Sequence, residues 1–179
     1  MRPQKFFLCT FIVFGAVTTS IFAQEAIKSR PSPLAIVAIR YKDAYIKITY
    51  SQPQKKGREI FGKLVPYDQV WRTGANEATE LTTTKNIQIN GTLLKAGTYS
   101  LFTIPQKDSW TIIINSEVGL WGAYNYNSKL DVMRFNIPAS ATETVYESFT
   151  MQFDHRNEVA DLLLYWDRTK ISIPVKFIN

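Results

Sequence analysis

Short runs of alternating apolar and polar residues, separated by turn-forming residues, constrain the fold of this chain more than any other feature. In the run 44–51, Ile46, Ile48 and Tyr50 would share one face, and polar or charged side chains would occupy most of the other. A period of two residues is typical of half-buried β-strands, whereas no long segment after about residue 23 has the period of an amphipathic helix. The sequence therefore predicts a nearly all-β domain.

The turn chemistry between these runs favours antiparallel pairing. Lys42-Asp43 separates the first two runs, and Asn90-Gly91 is a strong hairpin signal because both residues tolerate positive φ. Pro174 interrupts the last run, which predicts an edge strand or a bulge because proline cannot donate to a ladder. We expect an antiparallel β-sandwich of about nine or ten strands, with a jelly-roll-like arrangement open as a variant. The predicted strands are 34–41, 44–51, 78–84, 87–89, 98–104, 110–115, 131–137, 144–153, 161–167 and 171–177.

The first 23 residues have the composition of a secretory signal peptide. Arg2 and Lys5 precede an apolar run over 6–17, and Ala23 stands at the expected cleavage edge. The run is shorter than the roughly 20 apolar residues of a membrane span, so we expect no stable membrane insertion after cleavage. The sequence predicts a signal peptide over 1–23, a linker over 24–33 and one domain over 34–179, exported to the periplasm or the extracellular space.

Several kinds of chemistry are disfavoured by what the exported part lacks. Cys9 is the only cysteine and falls in the predicted signal, and His155 is the only histidine. Disulfides, a thiol nucleophile and a multi-histidine metal site are therefore not expected, and no glycine-rich phosphate loop is present, so no cofactor is expected. The net charge is +6 for the whole chain and lower without Arg2 and Lys5. Such a mild charge predicts no nucleic-acid partner, and the basic run 55–58 is interpreted as an exposed loop.

Glu147 raises the sharpest question in the sequence. Strand alternation would place it on the same row as Val145, Phe149, Met151 and Phe153. A buried, unpaired carboxylate costs several kcal/mol, so an inward Glu147 would need a cation or a pocket. Three alternatives stay open: a buried pair with an arginine such as Arg72, a binding or catalytic carboxylate, or a twisted strand that leaves Glu147 exposed.

Two further segments concentrate residues that bind ligands in other proteins. The turn 71–77 contains Trp71, Arg72, Asn76 and Glu77, and a guanidinium can bind a carboxylate or phosphate with two hydrogen bonds. The same residues would also suit a capped turn in which Trp71 fills the core.

The loop 117–129 is the other such segment and is rich in aromatic residues. It contains Trp121 and Tyr124, and Asp131 and Arg134 follow it. Exposed aromatic rings commonly bind sugars or peptides. Aromatic side chains that fold back over a sheet edge are the alternative.

Several motifs of this chain resemble those of one uncharacterised family, the domain of unknown function 2911, which is common in Bacteroidetes-type bacteria. The resemblance extends from about residue 32 to 175 and implies an exported bacterial β-protein without implying a mechanism. The motifs are Tyr-Ser-Gln-Pro at 50–53, Lys-Gly-Arg at 56–58, Ile-Phe-Gly-Lys-Leu-Val-Pro-Tyr at 60–67, Trp-Arg-Thr-Gly-Ala-Asn-Glu-Ala-Thr at 71–79, Ala-Gly-Thr-Tyr-Ser-Leu-Phe-Thr-Ile-Pro at 96–105, Trp-Gly-Ala-Tyr at 121–124 and Asp-Val-Met-Arg at 131–134.

Three functional hypotheses follow from the sequence. The first is a binding module for a small molecule, glycan or peptide, with Arg72 neutralising an anionic group and aromatic side chains stacking on a ring. The second is a carbohydrate hydrolase, which requires two of Glu77, Asp131 and Glu147 about 5 to 9 Å apart. The third is a structural envelope protein whose polar cluster only holds strands together. Of these, the sequence favours the binding module over an enzyme.

Overall fold

The computed structural model describes residues 29–178, which form one antiparallel sheet of nine strands and a single 3₁₀ turn at Ser128–Leu130. Along the sheet the strands lie in the order β1-β2-β3-β6-β7-β8-β9-β4-β5. The strands are β1 Leu34–Tyr41, β2 Ala44–Ser51, β3 Ala75–Thr83, β4 Ile87–Ile89, β5 Thr92–Leu94, β6 Gly97–Pro105, β7 Ser109–Asn115, β8 Asp131–Arg156 and β9 Val159–Phe177.

The all-β, antiparallel class predicted from the sequence is confirmed. Both predicted hairpins are present: Lys42 has a φ of 51° between β1 and β2, and Asn90 and Gly91 have φ values of 47° and 78° between β4 and β5. Positive φ at both central residues, as at Asn90-Gly91, is what a two-residue type I′ turn requires. The strands form one continuous sheet that is not closed, so the two-layer sandwich and its jelly-roll variant stay predictions.

Two long strands replace four shorter predicted ones. β8 pairs with β7 as far as Pro138 and with β9 from Ala139 onward, so it joins the two parts of the sheet. β9 lies inside the strand order, but its pairing with β8 ends at Ile171 and its pairing with β4 begins at Val175. Pro174 lies between these two regions, where its missing N–H removes no ladder hydrogen bond.

The core contains side chains from both ends of the strand order. Ile46 and Ile48 of β2 belong to the same buried cluster as Ile87 of β4 and Val175 of β9, so the sheet curves around one apolar interior. Five aromatic residues form one part of this core, with Trp71 stacked on Trp166 at 5.9 Å between ring centroids. The other members are Phe61, Trp110 and Phe149.

Glu147 does not face the core: the inward orientation expected from strand alternation is wrong, and the alternative that leaves Glu147 exposed is confirmed. Residues 53–55 bind β8 at this point, through Lys55 N–H to the Glu147 carbonyl (2.7 Å) and Phe149 N–H to the Pro53 carbonyl (2.9 Å). The β8–β9 register shifts twice over the same stretch, so the alternation is interrupted. Glu147 is exposed, and its Oε1 accepts a hydrogen bond from Lys56 N–H at 2.6 Å. Within residues 29–178 no ion pair joins Glu147 to Arg72 or to another cation.

The register shifts divide the predicted apolar row into a buried and an exposed part, which mutation can test. Phe149 is 0% exposed and packs on Tyr50, Trp71 and Trp166, whereas Val145 is 43% exposed. We expect Phe149→Ala to lower the free energy of unfolding by about 3 to 5 kcal/mol because it removes a core ring. The control Val145→Ala should change it by about 0.5 kcal/mol or less. Chemical denaturation measures both, and equal losses would contradict the interrupted row.

Candidate functional site

The turn before β3 is held rigidly on both sides. The backbone of Trp71 pairs with that of Thr103 in β6 through two hydrogen bonds, of 2.7 and 2.9 Å. A Cβ at Gly74 would lie 2.9 Å from the Ser51 carbonyl oxygen, so glycine is needed there for a close backbone approach. Thr73 has a φ of 54°, which is unfavourable for a β-branched residue, and its carbonyl accepts a hydrogen bond from Thr79 Oγ1 at 2.7 Å. Strain of this kind persists only where surrounding contacts fix it.

A cleft of about 460 Å³ opens beside this turn. Trp71 and Trp166 reach it from the aromatic core, and Tyr124, which is 82% exposed, lies at its rim. The wall contains two arginines, Arg58 and Arg72, and no acidic residue or histidine. The wall of the cleft therefore combines apolar surface with positive charge.

Arg72 carries the most informative polar atom of the cleft. Its Nε is buried and has no hydrogen-bond partner among residues 29–178. Gly122, with a φ of 70°, brings the aromatic loop close, since a Cβ there would lie 2.9 Å from the Tyr124 ring and 3.5 Å from an Arg72 terminal nitrogen. The Gly122 N–H donates to the Asn76 carbonyl at 2.9 Å. Arg72 and Tyr124 are thus held together by the two segments predicted to bind a ligand.

Asn76 and Glu77 lie next to the cleft and connect it to the N-terminal segment. Asn76 Nδ2 donates to Ser51 Oγ at 3.3 Å, and Ser51 Oγ donates to Glu77 Oε2 at 3.3 Å. Glu77 Oε1 forms an ion pair with Arg30 at 2.7 Å. A hydrogen bond from its own backbone N–H lowers the pKa of Glu77, partial desolvation opposes this, and the contact with Arg30 lowers the pKa further. Trp121, 60% exposed, forms a β-bridge with Glu77.

Asp131 and Arg134 form a different cluster that does not line the cleft. Asp131 Oδ2 accepts from the Tyr126 hydroxyl at 2.6 Å and contacts Arg134 at 3.2 Å, while Oδ1 accepts from Asn115 Nδ2 at 2.8 Å. Burial, together with Asp131, raises the pKa of Tyr126 to about 12. Tyr126 packs against Phe102 at 5.1 Å. This part of the aromatic loop therefore covers the sheet, as one alternative predicted, while Trp121 and Tyr124 stay exposed.

The predicted site residues thus divide into three groups. Trp71, Arg72 and Tyr124 line one cleft, and Asn76, Glu77 and Trp121 lie beside it. Asp131, Arg134 and Glu147 take part in other contacts. None of the three candidate carboxylates of the hydrolase hypothesis is in the wall of this cleft.

Several residues of the cleft wall were not predicted from the sequence, among them Arg58 and Ser32. Arg58 lies in a loop interpreted only as exposed, and its guanidinium donates to the carbonyls of Gln54 and Lys55. Ser32, in the predicted linker, lines the cleft as well. The basic run at 55–58 was a visible signal for Arg58, whereas no local pattern indicates Ser32.

Comparison with known proteins gives a family and no function. A family model described as "Protein of unknown function (DUF2911)" matches residues 32–175, which include the cleft, the turn 71–77 and the aromatic loop. No curated protein and no solved structure matches. No helix between residues 29 and 178 is both long and apolar enough for a membrane span. In the same part of the chain, no group of three His, Cys, Asp or Glu side chains is placed to hold a metal ion.

The lowered pKa of Glu77 predicts a pH-dependent contribution to stability. A carboxylate with a lowered pKa stabilises the fold above its ordinary value, 4.5, and this stabilisation is lost as the pH falls through the lowered value. We expect Glu77→Gln to be less stable than the wild type at pH 7 and to approach it in stability as the pH is lowered below 4. Denaturant unfolding of both proteins across this range measures the difference. If the wild type and Glu77→Gln differed in stability by the same amount at pH 7 and at pH 3, this would contradict a stabilising role for the ionised Glu77 carboxylate.

Proposed function

This chain belongs to the DUF2911 family, and because that family has no assigned activity, we propose a function from the geometry of the cleft. The protein binds a small ligand that carries a carboxylate or phosphate group and an apolar part or planar ring. Arg72 binds the anionic group, and the aromatic side chains contact the rest. Acidic sugars, phosphorylated sugars and short peptides with a free carboxylate are ligands of this chemical class.

The buried, unpartnered Nε of Arg72 is the observation that carries this proposal. Leaving a buried donor unpaired costs about 1 to 3 kcal/mol, and more when the group is charged. A carboxylate or phosphate accepts two parallel hydrogen bonds from one guanidinium, which would satisfy such a donor. Arg58 adds a second positive charge, and no acidic side chain in the wall neutralises either arginine.

The remainder of the wall suits an apolar or ring-shaped group. Leu64, Pro66 and Trp71 contribute apolar surface, and Tyr124 offers an exposed ring at the rim. The volume of about 460 Å³ falls in the range of roughly 300 to 1,000 Å³ that small-molecule sites occupy.

The other two hypotheses have less support from the same cleft. A glycosidase needs two carboxyl groups across one sugar bond, and no acidic residue lines the wall. A purely structural cluster would bury its arginine with every polar group satisfied. Arg72 instead lines an open cleft with one buried nitrogen unpaired.

We also propose that the ligand is encountered outside the cytoplasm, in a bacterium of the Bacteroidetes type. The charged start, the apolar run and Ala23 support export through a signal peptide. These features lie within residues 1–28, outside the described residues.

Arginine side-chain NMR tests the binding proposal directly. The protein, labelled with ¹⁵N at arginine Nε, is titrated with benzoate, phenyl phosphate and glucuronate, and with neutral benzamide for comparison. We expect a saturable shift of the Arg72 Nε–H signal with at least one anion and no comparable shift with benzamide. Isothermal titration calorimetry measures the affinity of the variants, because Arg72→Gln removes the NMR signal. Arg72→Gln should weaken binding by about 10- to 100-fold, which corresponds to the loss of a charge-assisted hydrogen bond.

A matched arginine in β1 supplies the control for this titration. Arg40 is exposed and lies over the ring of Tyr45 at 5.3 Å, outside the wall of the cleft. Arg40→Gln should bind the same anion as tightly as the wild type. No saturable response at Arg72 with any of the anions, or equal weakening in both variants, would refute the proposed function.

A further inference from the structure

The N-terminal segment 29–33, which is part of the predicted linker 24–33, lies against the cleft. Ser32 is part of the cleft wall. We propose that residues 29–33 form a structural wall of this binding site, and that Arg30 and Glu77 are positioning residues that hold the segment in place. This inference rests on the proposed function and adds to it the part of the chain that completes the site.

Three contacts hold the segment: one comes from the residue after β2 and two come from β3. The Pro33 carbonyl accepts a hydrogen bond from Gln52 N–H at 2.8 Å, just after β2. The Ser32 carbonyl accepts from Asn76 Nδ2 at 3.4 Å, within β3. The Arg30 guanidinium is paired with Glu77 at 2.7 Å. Docking of the segment costs conformational entropy. The three contacts offset this cost and keep Ser32 in the wall of the cleft.

The Arg30–Glu77 pair also affects the charge beside the cleft. Glu77 lies next to a site proposed to bind anions, and an unpaired carboxylate there would repel them. The Arg30 guanidinium offsets this charge at 2.7 Å. Positioning and charge compensation therefore make opposite predictions for Glu77: loss of its charge would strengthen anion binding through space, but release of the segment would weaken it.

Two single variants and one exchange separate these effects. Binding of benzoate and of phenyl phosphate is measured through the Arg72 Nε–H signal in Arg30→Ala, Glu77→Gln and the charge-exchanged double variant R30E/E77R. Docking of the segment is followed separately through hydrogen exchange of the Gln52 amide. The control is Lys85→Ala, which breaks an ion pair of similar length (2.8 Å, with Asp43) at the hairpin between β1 and β2.

If the segment is a wall of the site, both single variants weaken binding by about two- to fivefold, the range for an exposed ion pair. Gln52 exchange then accelerates in both, the double variant restores binding, and Lys85→Ala behaves as the wild type. Unchanged or tighter binding in Glu77→Gln would overturn the proposal while the proposed function stands. If no anion gave a saturable shift of the Arg72 Nε–H signal in the wild type, both the proposed function and the proposed role of residues 29–33 would be overturned.

Discussion

The contact between Trp71 and Trp166 determines both the centre of the core and one side of the cleft. Trp71 is fixed to β6 through its backbone and to the aromatic core through its ring. The turn 71–77 is therefore anchored at its first residue. Gly74 then allows the turn to approach Ser51 closely, and Arg72 is directed to the cleft. Because buried aromatic clusters resist repacking, the guanidinium is presented next to a residue anchored in the aromatic core rather than by a flexible loop.

Local chemistry was enough to predict the strands β1, β2 and β4 and the turns that follow β1 and β4. Alternation with a period of two and the Asn90-Gly91 turn are properties of a few adjacent residues, and they require no knowledge of the partner strand. The shape of β8 could not be predicted in this way. Its register shifts lie where residues 53–55 bind it, a contact across more than 90 positions of sequence, and this contact is the reason that Glu147 faces solvent.

In the candidate site, too, some residues could be predicted from local sequence, whereas the role of others depends on contacts with residues far away in the chain. Trp71, Arg72 and Tyr124 could be selected from the sequence because large aromatic residues and an arginine in a glycine-containing turn are unusual enough to require an explanation. Ser32 could not, since its role arises from a hydrogen bond with Asn76, 44 positions away. Arg58 was visible only as part of a basic run, and the fold is what brings its positive charge into the same cleft wall as Arg72.

The direction of β1 has a practical consequence for any surface-based experiment. Its first residue, Leu34, follows directly on the segment beside the cleft, whereas its last, Tyr41, packs against Phe177 with ring centroids 5.4 Å apart. Eight extended residues span about 23 Å. A protein immobilised or fused through the end of β9 would therefore keep the cleft accessible, while an attachment near residue 29 would place a foreign group at its mouth.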